Sequence, residues 1–107
     1  MGEYIIRFTA VNADDLPLDA AARLDAAARA MPGVRISGEV VADRDARRLE
    51  AGFGIPVQQG MAEAARDGGR LAKEILLAAR MPDARLVEMV VRMVDPAATG
   101  WTRSDGG

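Results

Sequence analysis

Apolar residues recur along this chain at two different spacings, and the order in which the spacings follow one another leaves few architectures open. Residues 3–11, Glu-Tyr-Ile-Ile-Arg-Phe-Thr-Ala-Val, alternate so that Tyr4, Ile6, Phe8 and Ala10 share one side, the signature of a strand. From Leu16-Pro17 to about Met31 the spacing becomes helical, with Ala20, Ala21, Leu24, Ala27, Ala28 and Met31 on one stripe. Asn12-Ala13-Asp14-Asp15 supplies capping oxygens before it, and Pro32-Gly33 ends it. Alternation returns at 34–42, with Val34, Ile36 and Val40 inward, and at Leu49, Ala51, Phe53 and Ile55, ending at Pro56. A hairpin through Asp43-Arg44-Asp45 joins these two strands. A second helix spans about 57–80, its buried stripe made by Met61, Ala64, Ala65, Gly68, Leu71, Ala72, Ile75 and Ala79. A last strand runs over 84–94, with Val87, Met89, Val91 and Met93 inward.

Strand, helix, strand, strand, helix, strand closes most simply as a four-stranded antiparallel sheet with both helices on one face, because right-handed crossovers bring both helices to the same side. The expected class is therefore α+β. The order resembles the ferredoxin-like superfold, a resemblance of architecture alone, which carries no function with it. With 107 residues there is room for one ordinary domain, expected at 1–94, followed by a Pro-, Gly- and Ser-containing tail at 95–107. Only Tyr4, Phe8, Phe53 and Trp101 are aromatic, so the core has to be aliphatic and closely spaced. Gly68-Gly69 stands in the middle of a helix, where each glycine costs about 1 kcal/mol relative to alanine. Close packing of the helix against its neighbours, or a hinge, would account for it.

Several chemistries are excluded by residue type. The chain contains no cysteine and no histidine, which removes disulfides, thiolate metal sites, cysteine nucleophiles and every histidine-based triad. Gly52-Phe53-Gly54 fails as a dinucleotide fingerprint because Val57 stands where the third glycine belongs, and there is no P-loop pattern. Asp43, Asp45 and Glu50 are interleaved with Arg44, Arg47 and Arg48, which neutralise them and argue against a calcium loop. No metal or cofactor is expected.

Fourteen basic and sixteen acidic residues give a net charge of −2, with no basic excess to attract nucleic acid. Nor does the expected open face of the sheet carry an aromatic on which a base would stack, since Tyr4, Phe8 and Phe53 share the core parity. Thirteen of the basic residues are arginine and only Lys73 is lysine, a bias that fits a bacterial genome rich in G and C. No segment has the length of a membrane span, the N-terminal run lacks the form of a signal peptide, and Ile6 replaces the Ser or Thr of a myristoylation pattern. The expected compartment is the cytoplasm.

The sheet face left open by the helices is where a partner is expected. Its side chains are Ile5, Arg7, Thr9 and Val11 from the first strand, Arg35, Ser37, Glu39 and Val41 from the second, and Leu86, Glu88, Val90, Arg92 and Val94 from the last. Aliphatic rows broken by charges of both signs are unusual for a solvated face and common at interfaces. Gly52 and Gly54 point the same way and leave room for another backbone or a flat ligand, or else mark a distortion of the strand.

The leading expectation is a non-catalytic interaction or assembly module that works as a homo-oligomer, or with a protein partner, through this face. Arg7, Thr9, Glu39, Gly52, Gly54, Glu88, Val90 and Arg92 are the candidate residues, and Trp101 is a candidate anchor for the tail. The alternatives are a sensor or carrier in which Arg7 and Arg92 meet an anionic metabolite, and a cofactor-independent enzyme of the dimeric α/β-barrel kind using Glu39 or Glu88 for acid–base work.

Overall fold

A computed structural model describes residues 2–94; the expected tail and Trp101 lie outside the described residues. Seven elements follow one another: β1 (Gly2–Asn12), α1 (Ala20–Ala30), β2 (Arg35–Ile36), β3 (Val41–Asp43), β4 (Arg48–Val57), α2 (Met61–Ala78) and β5 (Ala84–Val94). The class is α+β, with two helices and a five-strand antiparallel sheet in the order β2-β4-β1-β5, β3 following β2 along the same edge of β4. No helix of the described residues is long and apolar enough to cross a membrane.

One contiguous core explains why the helices share a face. It contains Tyr4, Ile6, Phe8 and Ala10 of β1, Leu49, Ala51, Phe53 and Ile55 of β4, and the buried residues of both helices, among them Leu24, Ala28, Ala64 and Ile75. Phe8 and Phe53 meet at its centre, their rings 6.2 Å apart and tilted by 59°. Gly68 is the reason α2 sits so close to the sheet: a Cβ there would lie 2.5 Å from Cδ1 of Ile6. Close packing therefore accounts for Gly68. Gly69, one step round the helix, has no atom within 4 Å of the corresponding position.

The expected second strand is two short ones. Ile36 faces Phe53 and Ala42 faces Leu49, so the chain between them carries two more residues than the facing stretch of β4. The excess is taken up at Ser37-Gly38-Glu39, where Gly38 adopts a left-handed conformation (φ +76°). Pairing with β4 survives there through the Ser37 amide, which donates to the Gly52 carbonyl at 3.0 Å.

The last strand is corrected as well. Thr9 pairs with Glu88 but Ala10 pairs with Leu86, leaving Val87 as the extra residue of a β-bulge. Leu86, expected on the open face, consequently packs against the core, while Val87, expected inside, is 55% exposed. The cause is readable afterwards in the spacing: Leu86 and Met89 are three residues apart, and both reach the same face only if one residue is bulged out. Met93 and Met61, also expected inside, are half exposed because one lies near the end of an edge strand and the other is the first residue of α2. Leu76, absent from the expected stripe, is buried.

Both helices begin later than their spacing implied. Pro17 precedes α1 rather than lying in it, and Asn12 caps nothing: its side-chain amide donates to the Asp14 carbonyl at 2.9 Å and shapes the loop. β4 continues through Pro56 to Val57, which delays α2 to Met61. At the entry to α2 the Glu63 carboxylate accepts the Gln59 amide at 2.8 Å. At its exit the Arg80 amide donates to Leu77 and the Met81 amide to Leu76, a Schellman arrangement with Arg80 at φ 63° in the position glycine usually fills. Arg23 of α1 donates to the Ala79 and Arg80 carbonyls at 3.0 and 2.9 Å, tying the two helices at that end.

Candidate functional site

The register of the three long strands places nine residues of the open face in three rows. Ile5 lies between Gly54 of β4 and Arg92 of β5, Arg7 between Gly52 and Val90, and Thr9 between Glu50 and Glu88. All of them but Gly54 line a concavity of about 450 Å3 whose remaining wall is Ser37 and Gly38. The strands that hold the rows are fixed from the other side, because the intervening residues Ile6, Phe8 and Phe53 are fully buried beneath the helices. Period-two alternation thus converts a packed core on one face into a rigid presentation of Arg7, Thr9, Glu88 and Arg92 on the other.

Gly52 does leave room for a backbone, and the chain supplies that backbone itself. A Cβ at Gly52 would come within 2.6 Å of the Ser37 carbonyl oxygen and 3.3 Å of the Arg7 guanidinium. The Ser37–Glu39 segment therefore folds over this part of the face, and Arg7 reaches toward it. Its guanidinium donates to the Glu39 carbonyl at 3.1 Å and lies 3.5 Å from the Glu50 carboxylate. Arg7 is consequently held on the β4 side of the face. Glu39 contributes its main-chain oxygen there, where an acid had been expected.

Gly54 belongs to a neighbouring hollow that it shares with Glu3 and Arg35. Glu3 and Arg35 form an ion pair, and the Glu3 carboxylate lies 3.1 Å from where a Gly54 Cβ would stand, so a side chain at that position would crowd the acid. The structure therefore gathers Arg7, Thr9, Gly52, Glu88, Val90 and Arg92 into one concavity and sets Gly54 beside it.

Glu50 was missed as a member of this site. The sequence groups it with Asp43 and Asp45 near the hairpin, but its parity with Gly52 and Gly54 on β4 was the available signal. The acids and arginines near the hairpin separate: Arg47 pairs with Asp15 at 3.0 Å, and Asp43 accepts the Ala46 amide at 3.1 Å inside the turn.

Chemically the concavity presents two guanidinium groups, two carboxylates and the Thr9 and Ser37 hydroxyls around Ile5 and Val90. Its charges balance, and the Arg7–Glu50 pair is about one-third exposed on each side, which limits its worth to below about 1 kcal/mol. Among the described residues no group of three or more acidic or other metal-ligating side chains converges. Comparison with known protein families finds no match, and comparison with curated proteins finds none either, so the function of the chain has to be read from its own geometry.

Proposed function

We propose that the chain is a ferredoxin-like assembly module that associates with a second copy of itself through the open face of its sheet, in the cytoplasm and without catalysis. The strand order β2-β4-β1-β5 supports the architectural part, with β2 and β3 together standing for one interrupted strand. The observation that carries the functional part is the make-up of the open face: Ile5, Val41 and Val90 stand among charges of both signs, of which Arg7 is paired with Glu50 and Arg35 with Glu3. Such a surface carries little net field to attract an oppositely charged macromolecule but presents apolar area whose burial stabilises a complex. Native mass spectrometry and light scattering across a concentration series test this. The expected result is an oligomer that dissociates when Ile5→Glu places a charge at the centre of the face; a strictly monomeric chain at tens of micromolar overturns the reading.

A second reading, binding of a small anionic metabolite, is favoured by one observation, the presence of Arg7 and Arg92 in the same concavity. Glu50 and Glu88 line it too and oppose an anion, which is why this reading stands second. A panel of small carboxylates and phosphates in a thermal-shift assay is expected to raise the melting temperature if it holds, and the rise should vanish in Arg92→Ala.

A further inference from the structure

The two edges of the sheet are finished differently. One edge is broken into β2, of two residues, and β3, of three, with left-handed Gly38 between them, which leaves no long row of free amides. The other is β5, eleven residues long, which among the described residues pairs with β1 on one side only. The β-bulge at Val87 distorts its beginning, so the regular free edge is Glu88–Val94. An edge of this kind is a template for another strand.

The sequence of that edge reads well against itself. In an antiparallel pair centred on Val90, Val90 faces its own copy, Glu88 faces Arg92, Arg92 faces Glu88, and Met89 faces Val91. Both ion pairs and the central Val90–Val90 pair fall on the open face and the Met89–Val91 pairs on the helix face, because facing residues of an antiparallel pair share a side. Moving the centre by one residue in either direction sets the charges against valine or leucine, and centring on Glu88 sets glutamate against glutamate. Among the described residues neither Glu88 nor Arg92 has an ion-pair partner within the chain. Apolar exposure is concentrated at the same place. Of the exposed large hydrophobics among the described residues, Val87, Val90 and Met93 lie on β5, and Leu77 of α2 borders the hollow between that helix and the strand.

We propose that β5 pairs with β5 of a second copy, antiparallel and two-fold symmetric about Val90, joining two sheets into one. The two-fold axis stands perpendicular to the sheet, so the helices of both copies remain on one side and their open faces become continuous. The interface is isologous, with every contact made twice. It needs a second copy, as the assembly reading does, but it uses the sheet edge instead of the sheet face.

Charge reversal tests the register. The full chain is measured by light scattering and native mass spectrometry as wild type, Glu88→Arg, Arg92→Glu and the double variant, with circular dichroism confirming that each is folded. Each single reversal sets like charges opposite each other twice and is expected to weaken self-association by about tenfold or more. The double variant re-forms both pairs with the signs exchanged and is expected to return to within about threefold of wild type. Glu88 and Arg92 also stand on the open face, so Ile5→Glu, on the central strand β1 and away from the edge, separates an edge contact from a face contact. A monomeric wild type overturns both proposals. An oligomer broken by Ile5→Glu but untouched by the reversals overturns edge pairing and leaves the face reading standing; rescue in the double variant with Ile5→Glu still associated does the opposite. An oligomer weakened by single reversals without rescue overturns the Val90-centred register.

Discussion

The two faces of this sheet are made by the same strands, one residue apart, yet they obey different rules. Under the helices, Ile6, Phe8, Leu49 and Phe53 are fully buried, and space is so short that α2 carries a glycine where it crosses Ile6. On the other face, Ile5, Arg7, Thr9 and Val11 of the same central strand are only half-buried. There the space above two glycines is occupied by the chain's own Arg7, by the Ser37 carbonyl and by the Glu3–Arg35 pair. The comparison teaches that the covered face is specified by volume and the open face by hydrogen bonding and charge, so the two should answer differently to the same kind of substitution.

The largest effect is expected on the covered face. Phe53→Ala removes a fully buried ring at the centre of the core and should lower the unfolding free energy by about 3–5 kcal/mol in a urea titration. A loss below about 1 kcal/mol would erase the contrast between the faces. Next comes the pair of glycines in α2. Gly68→Ala pushes a methyl group into Ile6 and is expected to cost about 1–3 kcal/mol, whereas Gly69→Ala, with open space around it, should gain up to about 1 kcal/mol from helix propensity. Opposite signs at adjacent positions would sharpen the comparison, and equal signs would place the contact elsewhere.

The strand glycines carry the test to the open face. Gly52→Ala meets a backbone oxygen, which gives way only if Ser37–Glu39 moves, and should cost about 1–2 kcal/mol. Gly54→Ala meets the flexible end of Glu3 and should cost less than about half of that, measured by the same titration. Smallest of all, Val90→Thr changes an exposed side chain and should move the stability of the isolated monomer by no more than about 0.5 kcal/mol, although it sits at the centre of the proposed edge contact.

Much of this was legible from spacing. The alternation of Tyr4, Ile6, Phe8 and Ala10, and of Leu49, Ala51, Phe53 and Ile55, gave their faces correctly, because a two-sided strand allows its apolar side chains only one solution. The last strand obeyed the rule only from Glu88 onward. Before the bulge the same rule placed Leu86 and Val87 on the wrong sides, since a one-residue insertion reverses every side chain that precedes it. In the site, Arg7, Thr9, Glu88, Val90 and Arg92 were assembled by parity alone. Glu50 and the Glu39 carbonyl escaped because the first was judged by its sequence neighbours and the second is a main-chain group.

By itself, then, the sequence determined the class of the fold, the core side of β1 and β4 and the absence of histidine and cysteine chemistry, all of which follow from side-chain type and local period. Only the tertiary structure decided that the second strand breaks at Gly38, that Val87 is bulged, and that Arg7 is held by Glu39 and Glu50 instead of facing Arg92. Each of these depends on how many residues lie opposite one another on strands distant in sequence. That count belongs to the pairing, and no local pattern contains it.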